Sequence, residues 1–256
     1  MPWILIGALA VLTISVIALP ASVARRFLPA SIGAEDFSGS LWHGSAGRIT
    51  FKGRNLGAVE WHLHPWPLLR LALAADLHWV KTGFEADGAV VVTSHGVTLQ
   101  NLQGSGPIED LRDLGVDDGW RGAANFTVGD LEAVYADPAG GGFPTITSAV
   151  GELRVSNLAS PQVADGADLG GYVLHLANAA VPPGGPVTAD LTDTGGPLDV
   201  QADIQLSLGG RTGMLTGTVR ARVAEPPALM RQLDDLAQLH ARDAQGRIPV
   251  DLEFTF

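Results

Sequence analysis

A chain of 256 residues with 46% apolar side chains can bury a sizeable core in one large domain or two small ones, which sets intrinsic disorder aside. Thirty-two glycines and 16 prolines without a strict period exclude collagen and point to many turns between short strands, a mainly β class. The net charge of −11, only two lysines (Lys52 and Lys81) and no cysteine leave no basic footprint for nucleic acid, no polybasic run for anionic lipid heads, no disulfide framework and no thiolate site.

Residues 3–24 carry no charge. As a helix they would span about 33 Å, roughly one hydrocarbon core, so a single transmembrane helix is predicted. Its anchor residues are Trp3, Ile4, Leu5, Leu9, Leu12, Ile14, Ile17 and Leu19. A cleaved signal peptide competes with this reading, because Ser22, Val23 and Ala24 are small residues at suitable offsets, but no basic n-region precedes them. Arg25 and Arg26 on the C-terminal side favour keeping that side in the cytosol, although long following domains translocate with less regard to charge.

A short linker, residues 25–34, is expected before one or two strands in residues 37–51, with Ile49 and Phe51 on one face. Val59, Trp61 and Leu63 then alternate with Glu60, His62 and His64, the period of a strand with one buried and one wet face, and Pro65 and Pro67 stop it. Leu71, Leu73, Ala75, Leu77 and Trp79 alternate next, Thr82 and Gly83 make a turn, and residues 84–93 follow as a strand. Val97, Leu99 and Leu102 continue what reads as a meander. Pro107 opens a helix-like segment with Ile108, Leu111 and Leu114 at helical spacing, and residues 119–135 return to strand.

Residues 137–144 form the best internal boundary, being rich in glycine and proline. It divides an anchor and flank (1–26) and a first β-rich half (27–136) from a second half (137–256) in one continuous body. Strands are predicted at 145–158, 171–178 and 187–192. The clearest run is 198–208, where Leu198, Val200, Ala202, Ile204, Leu206 and Leu208 face one way and Asp199, Gln201, Asp203, Gln205 and Ser207 the other. A strand at 215–223 precedes an amphipathic helix at 226–240 marked by Leu229, Leu233, Leu236 and Leu239. Ile248, Val250, Leu252, Phe254 and Phe256 end the chain as a strand. The expected fold is an N-terminal transmembrane helix followed by an elongated, curved, mostly antiparallel β-sheet with two short helices. The similar order of elements in residues 107–126 and 226–254 raises two pseudo-repeats as one account of the body.

One stretch carries a family likeness. Gly39-Ser40-Leu41-Trp42-x-Gly44-x-Ala46, followed by Leu56-Gly57-x-Val59-x-Trp61-x-Leu63-x-Pro65-Trp66-x-Leu68-Leu69, resembles the opening signature of the type II secretion (general secretion pathway) protein N family. Pro226-Pro227-Ala228-Leu229 and Asp243-Ala244-Gln245-Gly246-Arg247 match near the other end. The resemblance implies a short cytoplasmic N-terminus, a periplasmic body, and an accessory role with the inner membrane and other secretion components as partners. Its motif core is Gly39, Leu41, Trp42, Gly44, Gly57, Trp61, Pro65 and Trp66, with the Trp42, Trp61 and Trp66 group expected to build a hydrophobic core.

No HExxH, GxSxG, GxGxxG or GxxxxGK[ST] motif occurs, so nothing ties a residue spacing to a reaction; neither an enzyme nor a cofactor is expected. His62 and His64 share a strand face and could give two imidazoles to one metal with His78 as a third, but histidines on a wet face need no such partner. A second functional reading is lipid handling, on the likeness of a long sheet with one apolar face to AsmA-like β-groove proteins. Leu198, Val200, Ile204, Leu206, Val250, Leu252 and Phe254 would face the lipid in that case.

Overall fold

The period-2 alternation of the sequence folds into a single antiparallel sheet of 13 strands in strict chain order, open at both edges. The computed structural model describes residues 19–28, 32–114, 119–135, 145–182, 184–207, 212–222 and 227–255. The strands are β1 (Ile32–Gly39), β2 (His43–Phe51), β3 (Arg54–His64), β4 (Leu73–Lys81), β5 (Phe84–Val92), β6 (Gly96–Pro107) and β7 (Arg121–Val134). β8 (Thr145–Ala159), β9 (Gly171–Asn178), β10 (Val187–Gly195), β11 (Leu198–Ser207), β12 (Thr212–Ala221) and β13 (Ile248–Thr255) complete them. At about 4.8 Å per strand spacing the sheet is roughly 58 Å across.

The pairing register makes the two faces explicit. One line of directly paired residues crosses every strand: Phe37, Ala46, Val59, Trp79, Ala86, Gly104, Phe126, Leu153, Leu174, Leu191, Ala202, Gly217 and Val250. Every member is apolar or glycine, because successive side chains on a strand point to opposite faces and each register preserves the phase. Gly104 has a steric role in this line: a Cβ there would come within 2.7 Å of the Phe126 ring. The neighbouring line on the other face holds Glu60, His78, Asp87, Glu152, His175, Asp190, Asp203 and Asp251, with no lysine or arginine.

Helical segments cover only part of the apolar face. The 3-10 helix Ile108–Leu114 follows β6 and packs Ile108 on Phe84, Ala86 and Ala124. The one α-helix among the described residues, α1 (Pro227–Leu239), follows β12 and packs Leu229 and Leu233 on Ile248 and Leu169. Trp120, half-buried, touches both clusters and links them. The two expected short helices are both present, the first as a 3-10 rather than an α-helix and beginning at Ile108, directly after Pro107 ends β6. Leu71 was expected on β4 but has a left-handed backbone (φ 55°) and closes the 3-10 helix Trp66–Arg70, so the strand begins at Leu73.

The predicted membrane helix falls mostly on residues 1–18, outside the described residues. Its last part does not continue as an α-helix. Pro20, with φ −71° and ψ 151°, is extended and starts the 3-10 helix Ala21–Phe27, since proline sits well ahead of a first turn and cannot donate within a helix. Among the described residues no helix is long and apolar enough to cross a membrane. The boundary loop at 137–144, Leu208 and Phe256 also lie outside the described residues, while β7 and β8 on either side of that loop pair along their lengths.

Candidate functional site

Of the family-motif residues, Gly39, Leu41, Trp42, Gly44 and Trp61 meet at the corner where β2, β3 and the N-terminal 3-10 helix converge. Gly39 turns the chain with φ +80°, and the turn closes when the Ser40 N–H donates to the His43 carbonyl (2.8 Å) and the His43 N–H to Ser40 Oγ (3.1 Å). Gly44 admits the Trp61 ring: a Cβ there would lie 2.7 Å from Trp61 Cζ2 and 3.0 Å from the Ala21 methyl. The Trp61 indole N–H donates to the Leu41 carbonyl (2.9 Å), and Phe37 meets its ring edge-on at 6.3 Å. The Leu63 N–H donates to the Trp42 carbonyl (2.7 Å). Gly57, with φ +99°, lets β3 approach the Val80 carbonyl, which a Cβ would meet at 2.4 Å.

Pro65 and Trp66 do not join this core. Pro65 has αR geometry and turns the chain out of β3 into the 3-10 helix, leaving Trp66 78% exposed. The expected core group of Trp42, Trp61 and Trp66 is corrected to one of Trp61 with Phe37 and Ala21, half-buried Trp42 beside it and Trp66 outside.

The histidines sit on the polar face. The His43 and His62 rings are 3.9 Å apart and those of His62 and His64 5.0 Å. Of the three imidazoles considered for a metal, His64 pairs with Asp76 (2.9 Å) and His78 with Asp87 (2.7 Å), each with its own carboxylate, while His62 lies between the His43 and His64 rings. The Asp87 hydrogen bond raises the His78 pKa above its usual value against a smaller burial effect, helped by the charges of Asp87, Glu60 and Glu85. Among the described residues no group of three or more His, Cys, Asp or Glu is placed to hold a metal ion.

On the apolar face, α1 roofs a cavity of about 560 Å³ over β10 to β13. Leu198, Val200, Val250 and Leu252 line its floor, and Leu229, Leu233 and Leu236 its roof. Leu206 instead packs on the cluster of Ala149, Val181 and Val187. Ile204 pairs with Leu215 on the same face, and Phe254 lies over Gly213 at the open edge, where Leu252 is 55% exposed.

A cluster that sequence reasoning did not anticipate ties the end of this sheet region together. Asp193 accepts from the backbone N–H groups of Gly195 and Val200 (3.0 Å each) and pairs through both oxygens with the Arg222 guanidinium. Asp199, expected on the wet face, is 9% exposed because Arg220 donates to it (2.6 Å) and Arg247 lies 3.6 Å away. Burial pushes the Asp193 carboxyl up, but Arg222 and the two backbone donors outweigh it and hold the carboxyl below the usual range. Burial, followed by the charges of Asp193 and Asp168, pushes the nearby Tyr172 hydroxyl up to about 12. The only trace of this cluster in the sequence is an acid beside glycines, Asp193-Thr194-Gly195, which reads equally well as a hairpin end.

Fold and site together define a class: a one-sheet β-meander with two open edges, a continuous apolar face and an acidic opposite face. The sequence comparisons place it further. The family model described as type II secretion system (T2SS), protein N matches residues 30–251, and the chain belongs to that family. It is 33% identical over 94 residues to the type II secretion system protein N of Aeromonas hydrophila, a match covering 34% of this chain and 37% of that protein. It is 39% identical over 70 residues to the type II secretion system protein N of Vibrio cholerae serotype O1, covering 27% of this chain and 28% of that one. The chain therefore aligns with only about a third of the length of these relatives. No solved structure matches it significantly.

Proposed function

We propose that this chain is an accessory inner-membrane component of a type II secretion system, with its β body in the periplasm, assisting export of folded proteins across the outer membrane through contacts with other secretion components. The observation that carries the reading is the family match over residues 30–251, which takes in nearly the whole sheet. The uncharged N-terminal run supports a single anchor helix, confined on this reading to residues before Leu19. The open β13 edge supports contact by strand addition, since among the described residues it has no neighbour beyond β12, and its exposed Asp251 and Glu253 keep it from pairing indiscriminately. The comparisons give no support to the lipid-handling alternative.

The test is deletion and complementation of the gene in its own host, with exported enzymes assayed in the medium and the periplasm, together with in-cell photo-crosslinking from Glu253. Periplasmic retention of those enzymes and an adduct with a secretion component are expected. Unchanged export together with no such adduct would overturn the proposal.

A further inference from the structure

The 3-10 helix Trp66–Arg70 and the residues after it leave a large apolar surface outside the body. Trp66 is 78% exposed, Leu68 41%, Leu69 79%, Leu71 88% and Leu73 44%. Single exposed leucines are ordinary on a protein surface, but five large apolar side chains within eight residues at one corner mark a contact surface. The knob is a built structure. Pro65 and Pro67 restrict its backbone, and it closes where the Leu71 N–H donates to the Leu68 carbonyl (3.0 Å) and the Ala72 N–H to the Pro67 carbonyl (3.1 Å).

Two observations say what covers it. The first is the path of the chain. The Leu41 N–H donates to the Leu19 carbonyl (2.8 Å), and the next residue, Trp42, accepts from the Leu63 N–H (2.7 Å), three residues before the knob begins. Leu19 therefore enters the body at the same end of the sheet, one strand away from the knob, and the 18 residues before it contain no charged side chain. The second is charge. The chain has 27 acidic residues, yet none falls in residues 61–75, and the knob's one full charge is the exposed Arg70. A body with a net charge of −11 is on average repelled by an anionic bilayer, and a corner without acidic residues is spared that repulsion.

We propose that the Trp66–Leu71 knob seats in the interface of an anionic phospholipid bilayer, with Trp66 at headgroup level, Leu68, Leu69 and Leu71 in the acyl boundary and Arg70 on a lipid phosphate. Tryptophan and arginine favour the interface, where one part of the side chain is apolar and the other wet or charged, and leucines beside them add buried apolar area. The seat and the N-terminal segment give the sheet two points of attachment at one end. Its long axis then has a defined direction relative to the membrane, which one flexible tether cannot supply. This inference rests on the reading of the residues before Leu19 as a membrane anchor.

Because the chain has no cysteine, single reporters can be placed cleanly. Leu69→Cys, Leu12→Cys and Met214→Cys variants of the full chain would each carry an environment-sensitive fluorophore and be reconstituted in phosphatidylethanolamine–phosphatidylglycerol vesicles. Quenching by doxyl lipids is compared with quenching by aqueous iodide. The label at 69 is expected to follow the one at 12, quenched from the lipid side and shielded from iodide, while the label at 214 stays in water. Trp66→Ser with Leu71→Ser should return the label at 69 to water with an unchanged circular dichroism spectrum, since both side chains lie outside the core. A label at 69 in water with that at 12 in lipid overturns the seat and leaves the anchor standing. All three labels in water overturn anchor and seat together. A label at 69 in water in vesicles but shielded in native membranes assigns the knob to a protein partner and overturns the seat.

Discussion

Two of the three motif tryptophans, Trp61 and Trp66, provide a sharp test of the corner, because the same substitution should have very different consequences at them. Trp61→Phe removes the indole N–H that satisfies the Leu41 carbonyl at 2.9 Å. The cost is about 1 kcal/mol at this partly buried site, at the low end of the range for leaving one partner unpaired. The smaller ring gives up roughly 40 Å² of buried area, about 1 kcal/mol more, and the edge contact with Phe37 loosens. The total of about 2 kcal/mol corresponds to a melting shift of about 4–8 °C in a body of this size. Trp66→Phe changes a side chain that is 78% exposed and should stay within about 0.5 kcal/mol. Urea and thermal unfolding of the full chain in detergent, followed by circular dichroism, measure both. Equal effects at the two positions, or a Trp61→Phe shift within about 0.5 kcal/mol, would refute the account of Trp61 as the corner's hydrogen-bonded core.

Three further outcomes are expected. Leu233→Ala, at a buried position of α1, should cost about 2–4 kcal/mol and expose α1 to proteolysis, toward the lower end because the adjoining cavity already leaves room to relax; limited digestion with mass mapping checks it. Asp193 has a depressed folded pKa, so its contribution is present above the usual carboxylate value of about 3.9 and is lost as pH falls through the folded value; Asp193→Asn should be less stable at neutral pH and lose that acid dependence, as read by urea midpoints across the acid range. His78 has a raised folded pKa, so its pairing with Asp87 stabilises fully below the unfolded value of 6.5 and fades as pH rises through the folded one. Both side chains are well exposed and the effect is small, so the check is the imidazole titration itself by NMR, which Asp87→Asn should move down.

Strand positions were legible because the apolar face leaves a period-2 trace in the chain: residues 198–207 and the strand around Trp61 emerge nearly where they were read. Chain order gave the meander for the same reason, since short turns between alternating runs favour neighbouring pairing. The knob was not legible. The alternation Leu71, Leu73, Ala75 continues unbroken in the letters, and a Trp or Leu reads the same whether buried or exposed. Only the left-handed Leu71 and the turn after Pro65 show that the pattern breaks there. The Asp193–Arg222 pair was out of reach because its partners are 29 residues apart and meet only once β10, β11 and β12 are in register.

The bulges carry the last part of the explanation. Val97, Leu99 and Leu102 share the apolar face of β6 although the final spacing is three residues, not two. Asn101, with φ 50°, accounts for it: the register with β5 shifts between Asp87 and Ala89, one residue is taken up, and Leu102 returns to the face it would otherwise leave. The same device acts in β7, where a shift between Val128 and Asp130 lets Leu131 and Ala133 follow Phe126 and Val128 on one side. Without these two insertions the alternation in β6 and β7 would invert halfway along each strand and put leucines on the acidic face. The apolar face of β6 and β7 therefore depends on two residues that the period-2 rule counts as errors. Asparagine is among the few residues suited to the Asn101 position, since a β-branched residue at φ near 50° would be strained.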